Sequence, residues 1–140
     1  MRVLTLKDPW ATMIPMQVKK YETRSWYTSY RGSLLIHSSK AFEREDIEVA
    51  MTPPFKRYIA KRYKTLGDMP RGCIIGKCNL VNVIMITSIY FFPPRSELPY
   101  GDFSMGRCAW VLEDAEWLPE PIPARGQLGL WDFDMEEAKP

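Results

Sequence analysis

Residues 19–24 read Lys-Lys-Tyr-Glu-Thr-Arg and lead through an aromatic stretch into the apolar run at 34–36. Side chains along a strand alternate between its two faces, so an extended segment here places Glu22 and Arg24 on the same face. Lys19 lies just upstream of them. Charged groups beside apolar strands are costly to bury unless each has a partner. The stretch therefore predicts a strand whose charges form either a mutually satisfied ion-pair network or the wall of a pocket.

The elements around this stretch are short, and strands outnumber helices. We expect strands at 3–6, 20–26, 34–38, 74–89 (one long strand or a bent pair), 107–112 and 126–133. Helical periodicity predicts one helix at 9–16 and two within 42–64, divided at 52–54, where two prolines interrupt the pattern. The segments 91–106 and 118–123 read as loops. This arrangement favours a mainly β, antiparallel or mixed barrel with short helices packed at its ends.

The chain length of 140 residues is that of one domain with its own core. We expect a single domain at 1–134 followed by a frayed tail at 135–140. No apolar run reaches the roughly 20 residues of a membrane span, and the N-terminus lacks the basic and then apolar segments of a secretion signal. The expected location is therefore the cytoplasm, with no membrane attachment.

The cysteines and the single histidine restrict the kinds of site that the chain can build. Cys73, Cys78 and Cys108 lie among apolar residues and are odd in number, which indicates reduced core thiols and no disulfide framework. With one histidine and no Cys-x-x-Cys, the usual four ligands of a zinc site cannot be assembled. We therefore expect no metal and no cofactor.

The net charge of +2 conceals a polarity along the chain. Residues 1–77 carry fifteen Lys or Arg and seven Asp or Glu, whereas residues 78–140 carry four and ten. The first part is therefore +8 and the second −6, which suggests a basic face that attracts and orients nucleic acid. Five cations fall at helical spacing, a pattern equally typical of a solvated helix surface. They are Lys56, Arg57, Lys61, Arg62 and Lys64.

The stretch at 19–24 resembles the signature of the ASCH domain family, in which Gly-x-Lys-x-x-Glu-x-Arg lines a cleft on a β-barrel related to PUA domains. Further similar stretches are 4–10 (LTLKDPW), 31–40 (RGSLLIHSSK), 70–76 (PRGCIIG), 106–110 (GRCAW) and 126–131 (GQLGLW). One residue departs from the pattern, since Gln17 stands where the family has glycine. The resemblance implies a PUA-like mixed barrel that binds RNA, single-stranded nucleic acid or a nucleoside. The cleft of this barrel would recognise a base, either unmodified or modified.

The cleft implied by the resemblance gathers charged, aromatic and hydroxyl side chains. Lys19 and Arg24 suit a phosphate or carbonyl oxygen, and Glu22 suits the exocyclic amine of a base, while aromatic rings stack on bases. The candidate nucleic-acid-binding residues are Trp10, Lys19, Glu22, Arg24, Trp26, Tyr30, Arg31, His37, Ser38 and Lys40, and Trp131 offers a further stacking face. Composition alone places Trp10 in the core and His37 at the barrel rim, so both alternatives remain open for these two residues.

An enzyme remains an alternative to a binding domain. Small bacterial acetylcytidine amidohydrolases look like this fold and use a lysine, a threonine and a glutamate. Lys19 matches their lysine, but Glu22 stands at the threonine position, and Glu97 is the candidate acid. If the chain is an enzyme, the catalytic residues are expected to be Lys19, Glu22 and Arg24.

Two further alternatives use other residues. In a metal-independent ribonuclease, Lys19 or Arg24 would stabilise charge on phosphorus, and His37 or a nearby tyrosine (Tyr21 or Tyr27) would move protons. A protein interaction module would instead use the segment 91–94 (FFPP). The residues alone do not decide between these possibilities and binding.

Overall fold

Six strands and three short helices make up the fold of the part of the chain that the structure describes. The computed structural model describes residues 1–87, 91 and 93–136. In chain order the elements are β1 (Arg2–Leu6), α1 (Trp10–Met13), β2 (Tyr21–Arg24), β3 (Gly32–Ser38), α2 (Arg44–Ala50), α3 (Pro53–Ile59), β4 (Cys73–Met85), β5 (Cys108–Pro123) and β6 (Leu130–Asp132). Two 3-10 helices lie at Leu66–Asp68 and Arg95–Tyr100.

All six strands belong to one mixed sheet with the order β2-β5-β4-β3-β1-β6. Strands β1 and β3 are parallel, and every other pair in this sheet is antiparallel. Register shifts interrupt the β4–β5 ladder at three places, and such irregularities increase the twist of a sheet. The sheet curls until β2 faces β1, although these strands are not ladder neighbours. Arg24 Nη2 donates to the Thr5 carbonyl at 2.8 Å across the gap. The predicted mainly β, mixed, barrel-like fold with few short helices is confirmed.

Three apolar clusters stabilise this curled sheet, and the smallest of them consists of Val3, Leu35, Ile74, Leu118 and Trp131. The first fills the concave side of the sheet and includes Leu4, Leu34, Ile36, Leu80 and Trp110, each of them fully or almost fully buried. The second lies between the helices and the strand ends, and its members are Met13, Ala50, Phe55, Ile59, Met69 and Tyr100. The second cluster attaches α1, α2 and α3 to the sheet, so the helices hold a fixed position beside the gap between β1 and β2.

The helices begin and end close to the predicted positions, with one difference. The break between α2 and α3 falls at Thr52, because prolines at 53 and 54 occupy the first turn of α3, where no N–H is needed. Helix α1 is shorter than the predicted 9–16 and ends at Met13. Asp8 Oδ1 accepts from Thr12 N at 3.0 Å and from Thr12 Oγ1 at 2.7 Å, which satisfies a backbone donor near the start of α1.

The prediction of a loop at 118–123 is wrong, because this segment is the second part of β5. Pro119, Pro121 and Pro123 occupy alternate positions, so the sites without an N–H lie along one edge of the strand. Among the described strands, only β4 pairs with this part of β5, since β2 pairs no further than Val111. Proline has no N–H to donate, so a strand tolerates it where the N–H would point away from any neighbouring strand. The alternating prolines of β5 fit this condition.

Three other predicted segments differ in extent. The predicted loop at 91–106 contains a 3-10 helix at Arg95–Tyr100, and Phe92 lies outside the described residues. The predicted strand at 74–89 ends at Met85, with 88 and 89 also outside the described residues. The predicted strand at 126–133 shortens to β6, because 126–129 forms a loop. Most of the predicted tail, 137–140, lies outside the described residues.

The three cysteines are free thiols, as predicted. Cys78 and Cys108 are buried, and burial raises the pKa of the Cys78 thiol to about 12. A thiol with so high a pKa stays protonated at neutral pH and is a poor nucleophile. Within the described part of the chain, no helix has the length and apolar character needed to cross a membrane.

Candidate functional site

A cleft of about 710 Å³ opens where β1 and β2 face each other without pairing. Its floor comes from these two strands, one wall comes from the segment 99–102, and the other wall comes from the loop at 127–129. The lining residues are Thr5, Leu6, Lys7, Trp10, Glu22, Thr23, Arg24, Ser39, Pro99, Tyr100, Gly101, Asp102, Gln127, Leu128 and Gly129. A curled sheet that stops short of closing therefore produces a concave, solvent-reachable site.

Glu22 lies at the centre of an ion-pair network on the floor of the cleft. Its Oε1 is 3.2 Å from Lys19 Nζ and its Oε2 is 3.0 Å from Arg24 Nε. The Lys19 side chain is 1% exposed and the Arg24 side chain is 26% exposed, so the network runs from the interior to the solvent. Arg24 Nε has no hydrogen-bond partner among the described residues, so its contact with Glu22 is an ion pair and not a hydrogen bond.

Lys19 is held beneath the cleft floor by two partners. Besides its ion pair with Glu22, Lys19 Nζ donates to the main-chain carbonyl of Tyr100. A buried ammonium is stable only when its donors are used in this way. Lys19 therefore connects β2 to the wall at 99–102 and orients the Glu22 carboxylate, and it does not itself line the cleft.

The wall at 99–102 is fastened to the outer edge of β2. The buried Glu97 carboxylate accepts from Lys20 N at 3.0 Å and from Tyr21 N at 3.1 Å. Thr23 Oγ1 accepts from Asp102 N at 3.0 Å. Burial raises the pKa of Glu97, and the two backbone donors offset part of that effect. These contacts cover an edge strand that would otherwise expose unpaired backbone groups.

The opposite wall rests on His37. Burial lowers the pKa of His37, so the ring is neutral at neutral pH, and its Nε2–H donates to the Ala124 carbonyl at 2.7 Å. A Cβ added to Gly126 would lie 3.0 Å from His37 Cε1 and 3.2 Å from Thr5 Cγ2, so only glycine fits there without displacement. Beyond this close approach the chain rises to Leu128, which is 98% exposed at the cleft rim.

Trp10 supplies the aromatic surface of the cleft. It is the first residue of α1, is partly buried and packs edge-to-face on Phe55 with 6.0 Å between ring centres. Trp131 is buried instead, and its Nε1 donates to Thr5 Oγ1 at 3.0 Å. Of the three candidate tryptophans, which are Trp10, Trp26 and Trp131, only Trp10 lines the cleft.

The remaining candidate residues divide into buried supports and residues away from the cleft. Ser38 is fully buried, and its Oγ donates to the Pro70 carbonyl at 2.7 Å. Trp26 packs on Trp110 in the first core cluster. The cleft lining contains none of the other candidates, which are Tyr30, Arg31, His37 and Lys40. Arg31 donates to main-chain carbonyls within its own loop.

Several lining residues were not predicted from the sequence. Thr5, Thr23, Asp102 and the loop at 127–129 come from segments far apart in the chain. The Gly126–Gly129 stretch carries a signal, because two glycines flank a polar and an apolar residue just after a β-rich segment. No local pattern indicates that the segment at 99–102 folds over β2.

The cleft has a balanced charge. Two cations and two anions line it, namely Lys7, Arg24, Glu22 and Asp102. Lys7 pairs with Asp46 at 3.6 Å, outside the lining. Such a surface offers donors and acceptors for a polar ring and only weak attraction for a phosphate chain. Among residues 1–87, 91 and 93–136, no three His, Cys, Asp or Glu side chains are grouped to hold a metal ion.

The model of the ASCH domain family matches residues 4–99, a stretch that includes the last three residues of β1, the ion-pair network and the first residue of the wall at 99–102. The chain belongs to the ASCH domain family. This ASCH domain is 25% identical over 136 residues to activating signal cointegrator 1 of Homo sapiens and, equally, to that of Mus musculus. Each match covers 95% of this chain but 22% of the relative, so the chain spans about a fifth of the length of these relatives.

A solved structure supports the fold assignment. The ASCH domain aligns with a point mutant of the ZmASCH protein from Zymomonas mobilis with a TM-score of 0.55 and 15% identity. The alignment covers 97% of this chain and 91% of that one. At this identity the likeness shows the shared fold alone.

The structure explains how this ASCH domain accommodates a residue that departs from the family pattern. Gln17, at the position where the pattern has glycine, has a φ of 65°, in the left-handed region that glycine adopts most easily. Its Nε2 donates to the Ala115 carbonyl at 2.9 Å. The turn before Lys19 therefore keeps the conformation that glycine favours, and a side-chain hydrogen bond offsets part of the strain.

Proposed function

We propose that this ASCH domain binds single-stranded RNA, or a nucleotide from it, by holding one base in the cleft between β1 and β2. The observation that supports the proposal most is the Glu22–Arg24 pair on the floor of a cleft of about 710 Å³. This volume lies in the range of roughly 300–1,000 Å³ typical of small-molecule sites. Family membership agrees with a nucleic-acid role of this kind.

The floor offers a complementary pair of groups to the edge of a base. The Glu22 carboxylate can accept from an exocyclic amine, and the Arg24 guanidinium can donate to a ring carbonyl. Each hydrogen bond to a charged group contributes about 1.5–3 kcal/mol. Gln127 carries both a donor and an acceptor on the opposite wall, where it can read a second edge or a modification.

The walls suit the faces of a base. Trp10 presents a partly buried ring, and the rim opposite carries the exposed Leu128. Stacking of a base on an aromatic side chain contributes about 1–3 kcal/mol and tolerates any base. We infer that stacking supplies affinity in this cleft, whereas the Glu22–Arg24 pair supplies selectivity between bases.

The contacts of Lys19 and Glu97 give no specific support to the hydrolase alternative. Lys19 Nζ already contacts Glu22 and the Tyr100 carbonyl, and its side chain is 1% exposed. The Glu97 carboxylate accepts from the backbone N–H groups of Lys20 and Tyr21. Both side chains have structural partners, so we propose binding as the function and leave catalysis out of it.

The experiment is a binding titration with single-stranded RNA oligonucleotides and mononucleotides, unmodified and modified. The Arg24→Gln variant should bind roughly ten-fold more weakly, because it loses about 1.5 kcal/mol of charge-assisted hydrogen bonding. The matched control is Arg44→Gln, which removes the same charge from an exposed pair with Glu48 on α2. Equal affinities of the two variants for every ligand would refute the proposal.

A further inference from the structure

Five exposed cations form what we call the basic surface, which consists of Lys56, Arg57, Lys61, Arg62 and Lys64. None of the five makes an ion pair with an acidic side chain in the described part of the chain. The exposed cations Arg44 and Lys77, in contrast, pair with acids at 3.5 and 3.2 Å. The basic surface therefore carries five positive charges with no ion pair among the described residues, whereas the net charge of the chain is only +2.

Aromatic rings lie between these cations. The Arg57 guanidinium and the Lys61 ammonium each lie 5.1 Å from the centre of the Tyr58 ring. The Arg62 guanidinium lies 3.7 Å from the centre of the Trp117 ring on β5. Cation–π contacts of this kind hold the charged groups in place on a partly buried platform. Proteins that bind single strands combine cations along a groove with rings on which bases stack.

Helix α3, which carries Lys56 and Arg57 of the basic surface, packs against residues that line the cleft. Phe55 packs against Trp10 at 6.0 Å and against Tyr100 at 5.1 Å, and both of these residues line the cleft. Tyr100 also donates from its hydroxyl to the Pro54 carbonyl at 2.9 Å. The seven residues of α3 span about 10 Å. At about 3.4 Å per stacked nucleotide, this length corresponds to about three nucleotides.

Because the charges that line the cleft balance, a nucleic-acid polymer needs a second binding surface for its phosphates. The cleft lining has as many anions as cations, so phosphates that flank a bound base gain little there. We propose that the basic surface binds the phosphate backbone of a single-stranded nucleic acid several nucleotides away from the base in the cleft. This inference rests on the proposed function and deepens it, because it makes the partner a polymer and not a free nucleoside.

A lipid surface is the less suitable partner. Amphipathic membrane-binding helices combine cations with apolar side chains that insert between lipids. Within the basic surface, the rings of Tyr58, Tyr63 and Trp117 are only partly exposed, and each has a cation over its face. This arrangement presents charge outward and gives no apolar group for insertion, so it fits phosphates joined in a flexible chain better than a bilayer.

The test compares two variants that remove the same charge. Lys61→Gln/Lys64→Gln changes the basic surface, and Arg44→Gln/Lys77→Gln is the matched control. Each is titrated at several salt concentrations with a mononucleotide and with an RNA oligonucleotide long enough to reach both surfaces. For the oligonucleotide, the plot of log association constant against log salt concentration has a negative slope. This slope should become shallower by about 1.4 in the first variant, because each of the two lost phosphate contacts contributes about 0.7. The control should keep the wild-type slope, and mononucleotide affinity should stay unchanged in both.

The outcomes separate this inference from the proposed function. If the two double variants have the same slope while Arg24→Gln still weakens binding, the basic surface is only solvated and the cleft function stands. If Lys61→Gln/Lys64→Gln weakens oligonucleotide binding but Arg24→Gln does not, the basic surface is confirmed and the base-binding cleft is refuted. Binding to phosphatidylcholine–phosphatidylserine vesicles with none to the oligonucleotide would overturn the inference.

Discussion

Replacing Asp8 with asparagine should stabilise the protein at neutral pH and leave it unchanged near pH 4. Asp8 is fully buried at the start of α1, where Oδ1 accepts from Thr12 and Oδ2 has no hydrogen-bond partner among the described residues. Burial raises the pKa of this carboxyl from 3.8 to about 6, against the smaller opposing effects of Thr12 and Arg71. An asparagine keeps the Oδ1 acceptor and removes the charge.

The sign and size follow from the difference between the folded and unfolded pKa. Because the folded state holds the proton more tightly, the stability contributed by Asp8 is fully present below pH 4 and is lost as the pH rises through about 6. The folded and unfolded pKa values of Asp8 differ by about two units, and each unit corresponds to about 1.4 kcal/mol, so ionised Asp8 destabilises the folded state by about 3 kcal/mol. Since the side chain is fully buried, solvent does not reduce this value by screening.

The assay is urea unfolding of wild type and Asp8→Asn at several pH values between about 4 and about 8. The difference in the free energy of unfolding should grow from near zero to about 3 kcal/mol in favour of the variant. Other titrating groups cancel in this difference because both proteins contain them. The exposed Glu120→Gln variant serves as control and should show no such growth. A pH-independent difference, or a less stable variant at pH 8, would refute the reasoning.

Three further predictions concern the cleft and the turn before Lys19. Glu22→Gln should lower the free energy of unfolding by about 3 kcal/mol, because Lys19 is then buried without its carboxylate partner. Adding Lys19→Met to Glu22→Gln should restore much of the lost stability, whereas additive effects of the two substitutions in a double-mutant cycle would contradict the ion pair. Gln17→Gly should be about 1 kcal/mol more stable than Gln17→Ala in thermal unfolding, since glycine tolerates the φ of 65°; a more stable alanine variant would count against the strain. Gly126→Ala should displace the loop at 127–129, because the added Cβ would lie too close to His37, and should therefore weaken nucleotide binding several-fold in a titration. Unchanged affinity would show that this wall of the cleft does not contact the ligand.

The parts of the fold that depend on local sequence were predictable. The alternation in residues 21–24 places Glu22 and Arg24 on one face, and the ion pair between them follows from that placement. The pair of prolines at 53 and 54 divides α2 from α3, because proline imposes its own backbone geometry whatever surrounds it. These features need no information about distant segments.

Features that depend on distant segments were not predictable. The prolines at 119–123 read as a loop, but this part of β5 forms a strand because, in the described part of the chain, it pairs with β4 on one edge only. The sequence places Trp131 and His37 near the expected cleft, but both rings are buried. Trp131 donates to Thr5 Oγ1 and His37 donates to the Ala124 carbonyl. The buried position of Lys19 likewise requires a carbonyl from residue 100, far away in the sequence.

The most direct measurement follows the backbone amide NMR signals of the isotope-labelled protein as mononucleotides are added. If one base occupies the cleft, the amides of Thr5, Thr23, Gly101 and the loop at 127–129 should shift together with a single affinity, and Arg24→Gln should weaken that affinity. The amides of α3 should stay unchanged until an oligonucleotide replaces the mononucleotide. Shifts confined to surfaces outside the cleft, with the lining amides unmoved at saturation, would contradict base binding between β1 and β2.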